Sequence, residues 1–488
     1  MAEAIVIGAG IAGIAVSVRL ALKGWKVTVL EANPYPGGKL SSFEIQGFRF
    51  DAGPSLFTLP QLVDELFELA GRRAADHFRY RSLELVCRYF YEDGTRLDAW
   101  ADPDRFAEEV ESKLGVPASD LRAHLDAARV KYALTKGIFL DRSLHRIGSY
   151  LRGEVVSTLL QVGRLEMGRS LHAVNARRFS DDRLVQLFDR YATYNGSNPY
   201  AAPGVLNLIP HLEHGIGAFF PEGGMVAITD SLVRLARDLG VNFELGRRVD
   251  RILVEDGAAV GVLVGQERRE AELVVSNMDI VPTYRHLLPG QRAPEKTLAH
   301  ERSSSALIFY WGIRRAFPEL DVHNIFFSGD YRAEFDGIFG TAGLSGDPTV
   351  YVHVSAKVEP SDAPEGMENW FVMINVPGNR GQDWEAIIAA SRERILAKLS
   401  RILRQEIRPL IVCEDILDPR SIESRTGSFQ GSLYGASSNS RLSAFLRHPN
   451  FSRRIKGLFF CGGSVHPGGG IPLCLLSARI VASMVNPA

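Results

Sequence analysis

Three glycines close to the amino terminus, Gly8, Gly10 and Gly13, have the spacing G-x-G-x-x-G. The apolar run at residues 4–7 predicts a buried parallel strand before them, and residues 12–22 predict a helix after them. Glycines between a strand and a helix let backbone amides approach a pyrophosphate at the helix N-terminus. A second strand follows the helix and completes a βαβ unit, so the chain begins with a predicted dinucleotide-binding fold.

The dinucleotide prediction is strengthened by Glu31, which follows the second predicted strand at residues 26–30. A carboxylate about 20 residues beyond the glycines can accept hydrogen bonds from ribose hydroxyls. It would also repel a 2′-phosphate, so NADP is disfavoured. Without Glu31, the glycine spacing would fit equally well a turn that binds no nucleotide.

A second pair of glycines, Gly37 and Gly38, comes shortly after Glu31 and is followed by Lys39. Enzymes that bind FAD commonly have a glycine pair in this place, which favours FAD over NAD. Nearby prolines leave an ordinary turn as the alternative for this segment. Together with the first glycine motif, the pair predicts a flavin cofactor.

The composition argues against several other classes of protein. Lysine and arginine (56) nearly balance aspartate and glutamate (57), so no long-range field favours a nucleic-acid partner. The four cysteines lie apart without a C-x-x-C pair, which is typical of a reduced cytoplasm and disfavours a disulfide framework or a zinc site. His211 and His214 have a spacing that suits a metal, but no further ligand set accompanies them, so no metal is expected.

A chain of 488 residues is too long to fold around a single hydrophobic core. Its pattern of predicted strands and helices indicates an α/β protein with interleaved domains. We expect residues 1–75, 217–285 and 411–488 to form a discontinuous, Rossmann-like FAD-binding domain. Residues 76–216 have mainly helical patterns and are expected to form a helical insertion. Residues 286–410 carry β-branched and aromatic runs between turns, which predict an antiparallel substrate-domain sheet followed by a helix.

The individual elements follow from hydrophobic periodicity. Helices are expected at residues 61–70, 104–114, 147–167, 225–239 and 384–403. Strands are expected at residues 248–254, 260–264, 273–276, 306–313, 324–328, 349–355, 370–376 and 457–461, the last feeding a glycine-rich turn and a terminal helix.

Several segments together resemble FAD-dependent amine oxidases and carotenoid desaturases. The sequences V-I-G-A-G-I-A-G, E-A-N and G-G-K at the amino terminus are similar to both groups. The segments F-D-A-G-P-S at residues 50–55, F-P-E-G-G-M at residues 220–225 and S-N-M-D at residues 276–279 resemble bacterial-type phytoene desaturases, with Met278 where alanine is usual. The chain is therefore identified as a member of the bacterial-type carotenoid (phytoene) desaturase family of FAD-dependent oxidoreductases.

The most specific segment lies near the carboxyl terminus, where G-G-S-V-H-P-G-G-G-I-P at residues 462–472 is similar to the flavin motif of that family. The glycines would let this loop approach the flavin ring. A helix beginning near Ile471 would place partial positive charge beside flavin oxygens that become anionic on reduction. A plain capping loop is the alternative, and P-L-C at residues 472–474 departs from the family's usual P-G-V.

The motifs and the resemblance together imply which residues contact the cofactor. These are Gly8, Gly10, Ile11, Ala12, Gly13, Glu31, Ala32, Gly37, Gly38, Lys39, Gly53, Pro54, Ser55, Val249, Asn277, Gly463, Gly470, Ile471 and Pro472. The catalytic residue is unknown. His466 is a candidate acid or base, and a histidine that only shapes the loop and lines the flavin is an equal alternative.

The resemblance implies that the enzyme removes a hydride from an allylic C–H group of a long acyclic carotenoid, with the chemistry supplied by FAD. G-S-F-Q-G-S-L-Y-G at residues 427–435 and S-S-N-S at residues 437–440 are more similar to hydroxycarotenoid 3,4-desaturases than to phytoene desaturases. Phytoene desaturase, carotenoid isomerase and flavin amine oxidase remain alternatives.

A long carotenoid dissolves poorly in water, so the resemblance also implies a cytoplasmic protein held peripherally at the inner face of the membrane. The chain has no uncharged apolar run of about 18 residues that would predict a membrane span. Contact with lipid is expected in the helical insertion, where Arg152, Arg164 and Arg169 lie among valines and leucines. A helix packed on the core with a solvated basic face is the alternative.

Overall fold

The computed structural model describes residues 2–146, 161–341, 343–440 and 446–488. Two large sheets with helices packed against them dominate these ranges, so the expected α/β class is confirmed. One sheet is parallel and carries the amino-terminal glycine motif. The other is mainly antiparallel, and a large cavity lies between the two.

The parallel sheet has five strands drawn from distant parts of the chain. In spatial order they are Leu458–Phe460, Leu273–Ser276, Glu3–Ile7, Lys26–Leu30 and Asn242–Glu244. Its central strand is buried on both faces: Ala4 and Val6 lie in one apolar cluster, and Ile5 and Ile7 lie in another. A near-continuous apolar run is what a parallel strand covered on both sides requires.

Different elements cover the two faces of this sheet. The helices Ile11–Ala21, Val226–Asp238 and Ile471–Met484 share the apolar cluster on one face. On the other face lies a three-stranded antiparallel sheet of Arg251–Glu255, Ala258–Val264 and Glu267–Glu270. The strands expected near residues 248–264 therefore exist, but they form a separate layer rather than extending the parallel sheet.

The second large sheet has seven strands and forms one wall of the cavity. In spatial order they are Ile411–Leu417, Ser305–Ile313, Glu368–Val376, Val350–His353, His323–Phe326, Leu85–Phe90 and Arg96–Trp100. Neighbouring strands are antiparallel except His323–Phe326 and Leu85–Phe90, which are parallel. The long helix Trp384–Leu403 shares an apolar cluster with one face through Trp384, Ile395 and Trp311.

Strand pairings cross two of the expected domain boundaries. Residues 76–216 are not purely helical, because Leu85–Phe90 and Arg96–Trp100 join the seven-stranded sheet and Tyr80–Ser82 pairs with Phe219–Pro221. Likewise Ile411–Leu417, expected in the FAD-binding part, pairs with Ser305–Ile313 in the second sheet. Tyr80–Ser82, Leu85–Phe90 and Ile411–Leu417 each pair with a strand remote in sequence, which local patterns do not report, whereas Arg96–Trp100 pairs with its sequence neighbour Leu85–Phe90.

The other α-helices of the described ranges have between three and 18 residues. They are Gln61–Leu69, Pro103–Leu114, Ala118–Thr135, Leu171–Arg178, Asp182–Asp189, Ile280–Pro282, Glu295–Leu298, Tyr331–Asp336 and Pro419–Thr426. A two-stranded hairpin, Ser42–Ile45 with Phe48–Asp51, leads into the loop that carries Gly53, Pro54 and Ser55.

Local sequence explains where Pro103–Leu114 begins and ends. The Asp102 side chain accepts hydrogen bonds from the backbone N–H groups of Asp104 and Arg105, and Pro103 occupies the first helical position. The helix ends at Gly115, whose φ of 68° is left-handed. These signals make this helix predictable from sequence alone.

The membrane-contacting helix expected at residues 147–167 falls largely on residues 147–160, including Arg152, which lie outside the described residues. Of its remainder, Val162–Leu165 forms a single 3₁₀ turn in which Leu165 is buried while Arg164 is exposed. Arg169 is also exposed. Throughout the described part of the chain, no helix is both long enough and apolar enough to cross a membrane.

Candidate cofactor and active site

A cavity of about 930 Å³ opens between the two large sheets. It is lined by all but one of the residues expected to contact the cofactor. The lining includes Gly8, Gly10, Ile11, Ala12, Glu31, Ala32, Gly37, Gly38, Lys39, Gly53, Pro54, Ser55, Val249, Asn277, Gly463, Gly470, Ile471 and Pro472. Residues scattered from position 8 to position 472 thus meet around one space.

Gly13 is the expected contact that does not line the cavity. A Cβ atom at Gly13 would lie 2.1 Å from the carbonyl oxygen of Gly8, so a side chain there would push the helix away from the turn. The third glycine of the motif therefore serves close packing between helix and turn rather than ligand contact.

Asn277 joins the amino-terminal turn to the carboxyl-terminal loop. A Cβ atom at Gly10 would lie 2.6 Å from Nδ2 of Asn277, and one at Gly462 would lie 2.8 Å from its Oδ1. The Asn277 backbone N–H donates to the carbonyl oxygen of Ile7 at 2.8 Å, which fixes it at the end of the central strand. Side chains at either glycine would therefore close the cradle between the two segments.

Glu31 is 6% exposed and is held by three donors. Its Oε2 accepts from the backbone N–H of Ala9 at 2.7 Å, and its Oε1 accepts from the backbone and side-chain N–H groups of Asn33 at 2.8 and 2.9 Å. An ionised carboxylate has about four acceptor positions, so one remains for a ribose hydroxyl. The residue is thus fixed and still able to bind.

Two helices begin at the cavity. Ile11–Ala21 starts after Gly10, Ile471–Met484 starts after Gly470, and neither start has a capping side chain. The first N–H groups of a helix lack intrahelical acceptors and carry partial positive charge. One start suits a pyrophosphate, and the other suits an electron-rich ring edge.

Buried charges surround the same space. Lys39 donates from Nζ to the carbonyl oxygens of Ser432 and Leu433 at 3.1 and 3.0 Å, and burial lowers the pKa of Lys39 to about 8, an effect that nearby Asp279 opposes. Asp279 forms a buried ion pair with Arg302. Lys39 therefore holds the segment 432–433 against the glycine pair while keeping a cation at the cavity wall.

Sequence reasoning missed several lining residues in this half. Met278 and Asp279 follow Asn277, and Tyr434 and Gly435 follow the segment held by Lys39. A Cβ atom at Gly435 would lie 2.6 Å from Cα of Ser464, so this loop packs directly on the carboxyl-terminal motif. All four lie within segments 276–279 and 427–435, which resemble carotenoid desaturases, and that resemblance was the available signal.

His466 does not reach the cavity. Its side chain is fully buried, Nε2 lies 2.7 Å from the carbonyl oxygen of Arg142, and the residue is absent from the cavity lining. Burial lowers the pKa of His466 to about 4, so the ring is neutral at pH 7. The structure therefore places this catalytic candidate behind the loop, where it shapes the backbone.

The other end of the cavity is lined by the second sheet and by helical segments. Its wall is mostly apolar: Val86, Ile308, Ile325, Phe371, Met373 and Leu417. Polar side chains also line it, among them five that sequence reasoning did not identify: Arg190, Tyr194, Glu213, His323 and Tyr351. No sequence motif contains these residues, because they come from four separate segments of the chain.

The histidines considered as metal ligands have other roles. His214 is buried, with Nδ1 3.0 Å from the carbonyl oxygen of Trp100 and Nε2 3.3 Å from the Tyr191 hydroxyl. Within the described ranges no group of three or more metal-ligating side chains converges. The cysteines are free thiols; Cys87, Cys413 and Cys461 are buried.

Taken together, these groups fit FAD. The glycine cradle admits a pyrophosphate, Glu31 keeps an acceptor for a ribose, and the loop at residues 462–470 leads into a second helix start at the same cavity. A sequence model of flavin-containing amine oxidoreductases matches residues 11–486. The chain belongs to this family, and it is an FAD-dependent oxidoreductase, as the sequence predicted.

Within this family, the chain is similar over its whole length to proteins named for reactions of carotenoids. A 1-hydroxycarotenoid 3,4-desaturase of Flavobacterium sp. (strain P99-3) is 48% identical over 485 residues, which cover 99% of each chain. A 4,4′-diapolycopene oxygenase of Methylomonas sp. is 33% identical over 99% of this chain and 97% of its own. Among solved structures, cyclohexylamine oxidase from Brevibacterium oxydans IH-35A has a TM-score of 0.62 at 16% identity, covering 99% of this chain and 98% of that one. The last match shows a shared fold.

Proposed function

We propose that this protein is an FAD-dependent carotenoid desaturase that introduces a C=C bond into an acyclic polyene, acting as a 1-hydroxycarotenoid 3,4-desaturase. The observation that carries the proposal is the composition of the cavity, in which a dinucleotide cradle continues into a mostly apolar wall. The 48% identity to a protein named for this reaction, over 99% of both chains, supports the choice of substrate.

The chemistry needs little from acid or base side chains. FAD, when bound, supplies the acceptor for a hydride, while the second hydrogen leaves the adjacent carbon as a proton. Apolar residues such as Ile308, Phe371 and Met373 would hold the polyene and exclude water. The positive charge that develops where the hydride leaves spreads along the conjugated chain, so no dedicated carboxylate is required beside it.

The cofactor contacts expected from the sequence form part of this proposal. The residues that line the cavity at the glycine cradle would hold the pyrophosphate and ribose, and Gly463, Gly470 and Ile471 would lie against the ring. Likewise, residues from the parallel sheet would form the FAD-binding domain, and the seven-stranded sheet would form the substrate domain, with the strands Leu85–Phe90, Arg96–Trp100 and Ile411–Leu417 assigned to the latter.

Product analysis tests the proposal directly. The gene is expressed in cells that accumulate defined acyclic carotenoids, with and without a hydroxyl at carbon 1, and products are compared by mass and absorption. Desaturation predicts a product two hydrogens lighter that absorbs at longer wavelength. A gain of oxygen would assign an oxygenase, an unchanged mass with altered double-bond geometry would assign an isomerase, and several-step conversion of phytoene alone would assign a phytoene desaturase.

We further propose that the protein works at the cytoplasmic surface of the membrane, because its substrate must enter from lipid. Arg164 and Arg169 are exposed at the end of the segment expected to contact lipid, whose sequence is rich in valine and leucine. Cations beside apolar side chains are typical of interfacial binding. Flotation with anionic vesicles at low salt should carry the protein upward. If the protein floats neither with anionic vesicles at low salt nor with neutral vesicles, this proposal is contradicted.

A further inference from the structure

The polar side chains at the substrate end of the cavity stand out because their surroundings are apolar. Arg190 and Glu213 are 8% and 1% exposed, and both line the cavity together with Tyr194. Buried charges of this kind are costly unless they are paired and hydrogen-bonded. Their partners therefore show which polar atoms are satisfied and which have no hydrogen bond within the protein.

Glu213 is well satisfied. Its Oε2 accepts from the Tyr191 hydroxyl at 2.6 Å and lies 3.5 Å from Nη2 of Arg190, while its Oε1 accepts from the Tyr194 hydroxyl. The carboxylate thus anchors two tyrosines and the guanidinium. Glu213 holds this end of the cavity in shape.

Arg190 is only partly satisfied. Its Nη2 donates to the Tyr89 hydroxyl at 2.7 Å and its Nη1 to the Tyr194 hydroxyl at 3.4 Å. Its Nε has no hydrogen-bond partner and is buried. Arg190 thus lines the substrate half of the cavity and has one unused donor, which protein atoms cover in this structure.

His323 provides a second unsatisfied atom. The residue is 3% exposed, lines the cavity, and has no hydrogen-bond partner at Nε2. Its Nδ1 lies 2.7 Å from the Tyr351 hydroxyl, which in turn lies 2.8 Å from Oγ of Ser55. Burial, and secondarily His353 and Arg190, lower the pKa of His323, so its ring is neutral and belongs to the same polar neighbourhood as the guanidinium.

A substrate that is purely hydrocarbon would leave Arg190 Nε and His323 Nε2 without hydrogen-bond partners. A neutral imidazole nitrogen is either a donor or an acceptor, depending on the tautomer, and a hydroxyl can serve both. A hydroxyl oxygen also accepts from a guanidinium N–H. A cationic amine in the same place would meet the positive charge of Arg190.

We propose that His323 and Arg190 form a hydroxyl-recognition site that selects acyclic carotenoids carrying a hydroxyl at the end being desaturated. The inference rests on the proposed function and adds the residues that set its substrate preference. Binding would turn His323 Nε2 and Arg190 Nε, which protein atoms cover in this structure, toward the hydroxyl, while the rest of the polyene lies along the apolar wall.

The test compares a pair of polyenes with the same conjugated chain, 1-hydroxylycopene and lycopene, on the FAD-loaded enzyme. The ratio of their kcat/KM values measures hydroxyl preference, and binding of each desaturated product, followed by quenching of protein fluorescence, gives a readout without turnover. Wild-type protein should prefer the hydroxylated compound roughly ten- to hundredfold, the size expected when a buried polar group loses its partner.

The decisive variant is His323→Phe, with His353→Phe as its matched control. His353 is equally buried at 3% exposed, stacks on His323 with ring centroids 5.0 Å apart, and has an unpaired Nε2, yet it does not line the cavity. We expect His323→Phe to lose most of the preference while keeping turnover of lycopene, and His353→Phe to retain it. Arg190→Lys keeps the charge facing Glu213 but removes Nε, so it should lower the ratio in the same direction.

The results distinguish failure of the recognition site from failure of the proposed function. An unchanged ratio in both FAD-loaded variants, His323→Phe and Arg190→Lys, would overturn the recognition site. Equal loss on both substrates in His323→Phe would also overturn it, because that pattern fits a proton acceptor. If wild-type protein changes the mass of neither compound, the proposed function fails instead.

Discussion

The backbone N–H of Ala9 donates a 2.7 Å hydrogen bond to Oε2 of Glu31, so the glycine turn and the end of the second strand are tied together before any cofactor binds. Two consequences follow. The carboxylate holds the turn open, and the turn fixes the carboxylate where a ribose would meet it. A single residue thus supports both the shape and the chemistry of the dinucleotide cradle.

Glu31→Gln should therefore weaken FAD binding although its size is nearly unchanged. Both carboxylate oxygens accept hydrogen bonds from N–H groups, and the amide would turn an NH₂ group toward one of them. An unpaired buried donor costs about 1–3 kcal/mol, or roughly ten- to hundredfold in affinity. Flavin absorbance per protein, titrated with FAD, measures this. Glu84→Gln, at an exposed position, is the control, and full flavin retention in Glu31→Arg would contradict the assignment.

Gly10→Val should abolish FAD binding. Even its Cβ atom would lie 2.6 Å from Nδ2 of Asn277, and its methyl groups would occupy the cradle. Gly346→Ala, where a Cβ atom meets nothing within 4 Å, should leave the flavin content unchanged. A yellow, fully loaded Gly10→Val protein would show that the pyrophosphate binds elsewhere.

His466→Gln should slow flavin reduction by less than about tenfold. The histidine lies behind the cavity, and glutamine can still donate to the carbonyl oxygen of Arg142. Loss of a true general base costs about 10²–10⁴ in rate. Stopped-flow measurement of flavin bleaching separates the two cases, and a loss in the larger range would restore His466 as a catalytic residue.

His353→Phe should also change how stability depends on pH. Burial lowers the pKa of His353 to about 4 in the folded protein, so between about pH 4 and 6.5 the unfolded state binds more protons. The free energy of unfolding therefore falls as the pH drops through this window, by at most about 3 kcal/mol for this one group. Urea unfolding at several pH values should show a shallower dependence in the variant. An identical slope in both proteins would mean that His353 titrates normally.

The cofactor half of the molecule could be predicted because its signals are local. Glycines at a strand-to-helix turn, Glu31 at the end of the next strand and the loop before Ile471 each carry their meaning within a few residues. Gly13 was expected to contact the cofactor, but it allows close packing instead, because a Cβ atom there would lie 2.1 Å from the carbonyl oxygen of Gly8.

The substrate half could not be predicted in the same way. The strand Leu85–Phe90 lies in a region with mainly helical patterns. It pairs with the neighbouring strand Arg96–Trp100, and its second pairing, with His323–Phe326 more than 200 residues away, has no local signal. Arg190, Glu213 and His323 likewise meet only in the folded chain. Their isolated positions carry no spacing that distinguishes them from ordinary surface or core residues.

The central claim is that FAD in this cavity oxidises a hydroxylated acyclic carotenoid by removing two hydrogens. The most direct measurement adds 1-hydroxylycopene to the FAD-loaded protein without oxygen and follows flavin absorbance and product mass together. The account predicts that one equivalent of flavin bleaches for each product molecule that is two hydrogens lighter. Product formed without flavin bleaching, or bleaching without loss of two hydrogens, would contradict it.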